Sequence, residues 1–209
     1  MRVVLLGAPG AGKGTQAAQV AARFRLPHVA TGDIFRANIQ ARTELGRAAQ
    51  DYIDSGELVP DDVVIAMMLE RLAEPDAGGG FVLDGFPRSM SQARALDHRL
   101  AELGTPLDAA INLEVAEEEL LRRLLSRGRA DDSEATVRNR LRVFATTTRP
   151  LLDYYAEAGL LFSVSAMGTV DEVVERILGA PAHVSHQPPS EAWAILAPPG
   201  VTAQPAVRP

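Results

Sequence analysis

The chain has 209 residues, of which 46% are hydrophobic and 23% charged, with a net charge of −6 and a pI near 5.3. This length accommodates one sizeable core, or one core with small inserted lobes. The acidic balance argues against a general nucleic-acid binder. Cysteine is absent, which excludes disulfides and thiolate metal sites, and no apolar run approaches the roughly 20 residues that cross a bilayer. We therefore expect a cytoplasmic protein with no nucleic-acid and no membrane partner.

Apolar runs alternate along the chain with helical stretches. Buried parallel strands are predicted at 2–6, 81–83, 109–113 and 160–164, with a shorter candidate at 28–29. Helices are predicted at 13–25, 31–54 in two or more pieces, 61–73, 90–103, 117–127, 134–157 and 170–179. The alternation indicates an α/β fold with a parallel sheet, in which ligands bind beyond the carboxyl ends of the strands.

The first predicted strand runs into a glycine-rich loop, GAPGAGKGT at 7–15, and then into a helix. The glycines allow a tight turn whose N–H groups point at a phosphate, and the helix start adds partial positive charge. Lys13 is the single lysine beside twenty arginines, and a compact charge suits a loop crowded by phosphates. An ordinary glycine-rich turn is the alternative. We predict a triphosphate site formed by Gly10, Ala11, Gly12, Lys13, Gly14 and Thr15.

The string GxPGxGKGTQ, which ends at Gln16, resembles the nucleoside monophosphate kinases, and the adenylate kinases in particular. Gly14 stands where serine or threonine follows the lysine in the general phosphate loop, and this departure is typical of the family. The resemblance implies a P-loop NTPase-like three-layer fold with about five parallel strands. It also implies reversible, Mg²⁺-dependent transfer of the ATP γ-phosphate to AMP, giving two ADP, by a monomer.

The resemblance also divides the chain into parts. It implies a kinase core at 1–180, which includes an NMP-binding lobe at 30–59 and a short lid at 126–132. The composition of 181–209, rich in proline and alanine, predicts a disordered tail. An apolar patch at 192–196 leaves open that the tail docks on the core or on a partner.

Three further segments, TGDIFR at 31–36, ELVP at 57–60 and DGFPR at 84–88, follow in the order and spacing of the family. Taken alone, Thr31 reads as a helix N-cap and Arg36 as a solvated charge. The resemblance instead implies that Arg36 and Arg88 bind the AMP phosphate, and that the Phe86–Pro87 bond is cis. The implied AMP site comprises Thr31, Arg36, Glu57, Leu58, Val59, Gly85, Phe86, Pro87, Arg88, Gln92, Arg129 and Arg140.

Asp84 ends a predicted strand at the carboxyl edge of the sheet. It either caps the following turn or anchors magnesium-bound water, and we favour the second role. With Thr15 it forms the predicted Mg²⁺ site, with contact through water. The short lid and the absence of cysteine predict no zinc.

Arginines dominate the region of the predicted lid. Arg123 and Arg127 lie four residues apart on one predicted helix face, where Glu117–Glu119 are alternative partners for them. The pattern R-x3-R-G-R-x-D-D…R-x-R resembles the family's lid, which implies ATP contacts for Arg123 and Arg127 and a backbone contact at Gly168. Arg138 and Arg142 are expected to face solvent. The implied catalytic residues are Lys13, Arg88, Arg127, Arg129 and Arg140.

Two other functions remain open from the sequence. One is a UMP- or CMP-specific kinase, against which Thr31 argues because the uridylate/cytidylate kinases usually carry alanine there. The second is a non-catalytic P-loop switch or scaffold, which would not need arginines at all of the family's positions. The expected partners are therefore the small molecules ATP, AMP and ADP.

Overall fold

A computed structural model describes residues 1–126 and 133–180. Within these ranges the elements follow the predicted alternation, and the short candidate at 28–29 is a strand. The elements are β1 (Arg2–Gly7), α1 (Lys13–Phe24), β2 (His28–Ala30), α2 (Thr31–Gln40), α3 (Glu44–Ser55), α4 (Asp61–Leu72), β3 (Phe81–Asp84), α5 (Met90–Glu102), β4 (Ala109–Glu114), α6 (Glu117–Ser126), α7 (Glu134–Val143), α8 (Pro150–Glu157), β5 (Leu161–Ser165) and α9 (Val170–Gly179).

Two predicted helical stretches each form two helices, as was predicted for 31–54 but not for 134–157. The stretch 31–54 forms α2 and α3, and the Thr43 hydroxyl caps the second of these by accepting from the Gly46 N–H at 3.0 Å. The stretch 134–157 forms α7 and α8, which a π-helical turn at Phe144–Thr148 joins. The proline that opens α8 has no backbone N–H, so it fits the first turn of a helix.

The five strands form one parallel sheet in the order β2-β3-β1-β4-β5, which confirms the predicted parallel sheet. The register pairs Leu5 of β1 and Ala30 of β2 with Asp84 of β3. The carboxyl ends of these three strands therefore meet at one edge. The predicted phosphate loop, the start of α2 and Asp84 all follow from that edge.

Successive side chains of β1 enter two separate cores. Val4 and Leu6 belong to one hydrophobic cluster, and Val3 and Leu5 belong to the other. A strand alternates its side chains between the two faces of a sheet, so both faces must be covered by helices. Residues of α4, α5 and α8 cover the first face, and residues of α1 and α9 cover the second. This arrangement confirms the predicted three-layer α/β fold.

The predicted lid and tail fall mainly on undescribed residues. Of the lid at 126–132, only Ser126, the last residue of α6, lies within the described ranges, and the tail at 181–209 lies outside them. Among the described helices, none combines the length and apolar character that a membrane span requires.

Candidate active site

The loop between β1 and α1 has the backbone conformation that its glycines predict. Gly7, Gly10 and Gly12 have φ values of 137°, 86° and 94°, a region that favours glycine. Side chains would also collide here, since a Cβ on Gly7 would lie 2.9 Å from the Leu113 carbonyl oxygen. Gly12 is the N-cap of α1 and supplies no capping side chain. The start of α1 therefore has no side-chain cap from Gly12, and a helix N-terminus attracts anions.

Lys13 holds its ammonium group against the loop itself. Its Nζ donates to the carbonyl oxygens of Gly7 at 2.7 Å and Ala8 at 3.0 Å. Two residues further on, Thr15 is exposed. A lysine charge and a hydroxyl thus flank the point where phosphates would meet the N–H groups of α1.

Gly14 has a structural reason for replacing the usual serine or threonine. A Cβ on Gly14 would lie 3.2 Å from Oδ2 of Asp84, closer than ordinary van der Waals contact. The Asp84 carboxylate, with a side chain that is 18% exposed, therefore lies directly against the start of α1. Asp84 is also 3.9 Å from His28 Nε2, which is too long for a hydrogen bond.

One cavity of about 380 Å³ joins the phosphate loop to the predicted acceptor site. Most of the predicted site residues line it: Gly10, Gly12, Lys13, Gly14, Thr15, Thr31, Arg36, Glu57, Leu58, Val59, Asp84, Gly85, Pro87, Arg88, Gln92, Arg123 and Arg140. Ala11 and Phe86 are instead buried in the hydrophobic clusters, and Gly168 lies outside the cavity wall. Arg127 and Arg129 lie outside the described residues.

The carbonyl oxygen of Gly85 holds together two side chains of the predicted acceptor site. It accepts from the Thr31 hydroxyl at 3.0 Å and from Nε of Arg88 at 2.8 Å. Gly85 has φ 78°, and a Cβ there would lie 2.6 Å from Oγ1 of Thr31, so only glycine fits. The N-cap of α2 is Ala30, and the N-cap interpretation of Thr31 is therefore wrong. The following bond, Phe86–Pro87, is cis as predicted.

Positive charge concentrates around Arg88. Its guanidinium is accessible from the cavity, while the protein packed around it limits its hydration. Burial lowers the pKa of Arg88, the charges of Arg140 and Arg36 lower it further, and Asp84 opposes them. Arg36 also donates to Asp33, and Arg140 donates to the Ile53 carbonyl oxygen at 3.3 Å. The charges of Arg36 and Arg140 thus destabilise the protonated form of Arg88, and an anion bound beside these guanidinium groups would offset that repulsion.

The sequence left open whether Arg123 contacts ATP or pairs with a nearby glutamate, and the structure shows features of both roles. Its Nε donates to Glu119 at 2.7 Å and its Nη2 to the Ala166 carbonyl oxygen at 3.2 Å, yet the side chain lines the cavity. Arg122 and Arg123 together hold the pKa of Glu119 at about 2. Arg138 and Arg142 are exposed, as predicted.

Gly168 follows β5 in a loop that arginines support. Its φ is 107°, and a Cβ there would lie 2.3 Å from Oε2 of Glu172, so the position requires glycine. Arg176 donates to the carbonyl oxygens of Ser165 at 2.8 Å and Met167 at 2.6 Å. The sequence reasoning missed Arg176 because a single arginine on a helix carries no distinctive pattern.

The sequence reasoning also missed Asp61, Ser89 and Thr148. Asp61 accepts from Ser89 at 2.7 Å and from Gln92 at 2.7 Å, and the Thr148 hydroxyl donates to the Arg88 carbonyl oxygen at 2.9 Å. The sequence could have indicated Asp61, because it directly follows the ELVP segment at 57–60. Among the described residues, no group of three or more His, Asp or Glu side chains suits a metal ion.

A phosphate loop that shares a cavity with clustered arginines is the arrangement of a P-loop enzyme that transfers phosphoryl groups between nucleotides. Comparison with known proteins narrows this class. The family model described as adenylate kinase matches residues 5–160. The adenylate kinase of Thermobifida fusca is 52% identical over 184 residues, covering 86% of this chain and 97% of that protein.

Two other relatives agree with this result. The adenylate kinase of Rhodococcus erythropolis is 54% identical over 180 residues, and that of Streptomyces avermitilis is 46% identical over 212 residues. Both alignments cover 86% of this chain, with 98% and 96% of the respective relatives. The chain belongs to the adenylate kinase family, and its reaction is phosphoryl transfer from ATP to AMP. The predicted kinase function is confirmed, and the UMP/CMP alternative is not favoured.

Proposed function

We propose that the cavity holds ATP and AMP at opposite ends, with the phosphate loop at one end and the arginine cluster at the other. The single observation that carries this proposal is that Lys13 and Arg88 line one continuous cavity. The proposed ATP end is lined by Gly10, Gly12, Lys13, Gly14, Thr15 and Arg123. We assign Ala11, Gly168 and the undescribed Arg127 to the same ATP site, although Ala11 and Gly168 do not line the cavity. The proposed AMP end is lined by Thr31, Arg36, Glu57, Leu58, Val59, Gly85, Pro87, Arg88, Gln92 and Arg140. We assign the buried Phe86 and the undescribed Arg129 to the same AMP site.

The reaction needs positioning and charge stabilisation more than proton transfer. A phosphate monoester has a second pKa of about 6, so the attacking oxygen of AMP is already ionised at neutral pH. We therefore assign no general base. Lys13, Arg88 and Arg140, with Arg127 and Arg129 from the undescribed segment, stabilise the charge of the transferred group.

Asp84 and Thr15 fit a magnesium site. Both side chains line the cavity, both offer oxygen atoms, and the Asp84 carboxylate lies against the first turn of α1. Mg²⁺ typically keeps several waters and binds through one or two carboxylates together with substrate phosphates, which suits so small a set of protein oxygens. When bound with ATP, Mg²⁺ neutralises phosphate charge and orients the phosphates.

We further propose that 30–59 is an NMP-binding lobe and 126–132 a short lid on a core at 1–180, and that both close to exclude water. Contacts between α3 and α7 support a lobe that meets the lid region. Oγ1 of Thr136 donates to the Asp54 carbonyl oxygen at 3.1 Å, and Nδ2 of Asn139 donates to that of Ser55 at 2.8 Å.

The enzyme is proposed to be a cytoplasmic monomer. In support, the exposed large hydrophobic side chains of the described residues are scattered over several elements, at Tyr52, Leu103, Leu125, Met167 and Val170. Size-exclusion chromatography with light scattering tests this: a mass near 22.3 kDa is expected, and a mass near twice that value contradicts it.

Calorimetric titration of each nucleotide alone tests the division of the cavity. Arg36→Ala should weaken AMP binding by about tenfold or more and leave ATP binding unchanged, because a guanidinium–phosphate contact is a strong charge-assisted hydrogen bond. Arg123→Ala should do the reverse. Arg138→Ala, an exposed arginine paired with Glu134, is the matched control. Equal losses for both nucleotides in either variant contradict the assignment.

A further inference from the structure

Gln92 lies in the cavity wall with both ends of its side-chain amide already engaged. Gln92 is only 2% exposed, and it lines the cavity. Its Nε2 donates to Oδ1 of Asp61 at 2.7 Å, and its Oε1 accepts from the backbone N–H of Arg88 at 2.8 Å.

These two partners permit only one orientation of the amide. The Asp61 carboxylate only accepts hydrogen bonds, and the Arg88 N–H only donates them. A flipped amide would set oxygen against oxygen at Asp61 and N–H against N–H at Arg88. Ser89 holds Asp61 in place, since its hydroxyl donates to Oδ2 at 2.7 Å while accepting from the Gln92 N–H at 3.2 Å.

The fixed amide presents a defined pattern to a base. After these contacts, Nε2 keeps one hydrogen and Oε1 keeps one lone pair. Adenine offers the complement, with a donating amino group beside an accepting ring nitrogen, and cytosine offers the same order. Hypoxanthine, guanine and uracil offer the reverse order, an accepting oxo group beside a donating ring N–H.

We propose that Asp61 is a specificity-determining positioning residue, which locks the Gln92 amide in the orientation that accepts an amino-bearing base and rejects an oxo-bearing one. The proposal rests on the proposed function, in which Gln92 faces the base of the acceptor. Mismatch with a buried polar group is costly because groups on both sides lose their hydrogen bonds. The lock therefore discriminates against IMP, GMP and UMP, and exclusion of CMP depends on the shape of the cavity.

AMP and IMP form the sharpest substrate pair, since their bases differ in the exchange of an amino group and ring nitrogen for an oxo group and ring N–H. Asp61→Asn supplies an amide that can face Gln92 with either its oxygen or its NH₂. The Gln92 amide can then adopt both orientations. We expect the ratio of kcat/KM for AMP to that for IMP to fall by about tenfold or more. The KM for ATP should stay unchanged.

Asp62→Asn is the matched control. Asp62 is the exposed neighbour in the same first turn of α4, so its substitution removes the same charge from the same helix end. It should leave the AMP/IMP ratio unaltered. The ratio does not depend on the fraction of active enzyme, so a loss of stability in Asp61→Asn does not obscure the result.

A double-mutant cycle with Gln92→Leu separates the two possible failures. If Gln92→Leu leaves the AMP/IMP ratio unchanged, Gln92 does not read the base, and that part of the proposed function is wrong. If Gln92→Leu lowers the ratio but Asp61→Asn does not, the lock is wrong and the site assignment stands. If Gln92 contacts the base and Asp61 fixes its orientation, Asp61→Asn should change the AMP/IMP ratio no further in the Gln92→Leu background.

Discussion

A Cβ atom on Gly14 would lie 3.2 Å from Oδ2 of Asp84. Because Gly14 has no side chain, the Asp84 carboxylate can lie directly against it. Asp84 ends β3, and Gly14 lies in the first turn of α1, which follows the loop at the end of the neighbouring strand β1. The unusual glycine of the phosphate loop and the proposed magnesium-site carboxylate are therefore parts of one arrangement.

Gly14→Ala should disturb that arrangement without unfolding the protein. The added methyl group pushes the Asp84 carboxylate aside, and small displacements in a phosphoryl-transfer site lower its rate strongly. We expect about a tenfold or greater loss of kcat and a higher Mg²⁺ concentration for half-maximal rate, measured by an ADP-coupled assay over a Mg²⁺ titration. Gly79→Ala is the control because a Cβ there meets nothing within 4 Å. Identical Mg²⁺ dependence in Gly14→Ala and the wild type would refute the argument.

Lys13→Met should lower turnover by several orders of magnitude with an unchanged melting temperature. The ammonium lies within hydrogen-bonding distance of the loop carbonyls of Gly7 and Ala8. In the proposed site its charge would meet the phosphates of ATP. Lys13→Arg should also be severely impaired, because a planar guanidinium does not fit the place of a compact ammonium. Near-normal production of ADP by Lys13→Met contradicts its role, and near-normal production by Lys13→Arg contradicts the argument from shape.

Arg88→Ala should impair the use of AMP far more than the binding of ATP. The guanidinium lies with Arg36 and Arg140 at the proposed acceptor end of the cavity, and its Nε donates to the Gly85 carbonyl oxygen. We expect the KM for AMP to rise about 100-fold, which is the scale of a lost charge-assisted contact of about 3 kcal/mol. Calorimetry should find ATP binding within about twofold of the wild type, as it should for Arg138→Ala. An equal loss for the two nucleotides would mean that the site is misassigned.

Tyr154→Phe should destabilise the fold in a pH-dependent way. The Tyr154 hydroxyl donates to Oδ2 of Asp97 at 2.7 Å. Burial, and then this bond with Asp97, raise the pKa of Tyr154 to about 12. Burial also raises the pKa of Asp97 above its ordinary value of 3.8, and the Tyr154 hydrogen bond opposes that rise. The stability that Asp97 contributes is thus present below its ordinary pKa and lost as pH rises through the folded pKa.

Removing the hydroxyl takes away the donor that stabilises the ionised carboxylate, so the loss on raising the pH becomes larger. We expect the free energy of unfolding to fall by about 1–2 kcal/mol at pH 7 and by less at pH 4, measured by urea denaturation. Tyr52→Phe, at a residue that is 40% exposed, should have no comparable effect. A loss that is the same at both pH values would show that the carboxylate does not depend on the tyrosine.

The sequence by itself determined the strands and the phosphate loop, because each is carried by a short local pattern of residues. The cis bond at Phe86–Pro87 was predicted from the family resemblance, since an isolated X–Pro bond favours trans. The sequence also indicated which arginines belong together, through their spacing along the chain. Thr31 shows the limit of such reasoning: its residue type suits a helix N-cap, yet its hydroxyl donates to Gly85, 54 residues away.

Only the tertiary structure decided how these groups are held. Asp61 reaches Gln92 across 31 residues, and Asp84 lies against Gly14 because two parallel strands end side by side. Such contacts depend on the packing of α4 against α5 and on the register of the sheet, and no local pattern of residues encodes them. The phosphate loop is formed by nine consecutive residues, whereas the orientation of the Gln92 amide depends on contacts between distant parts of the fold.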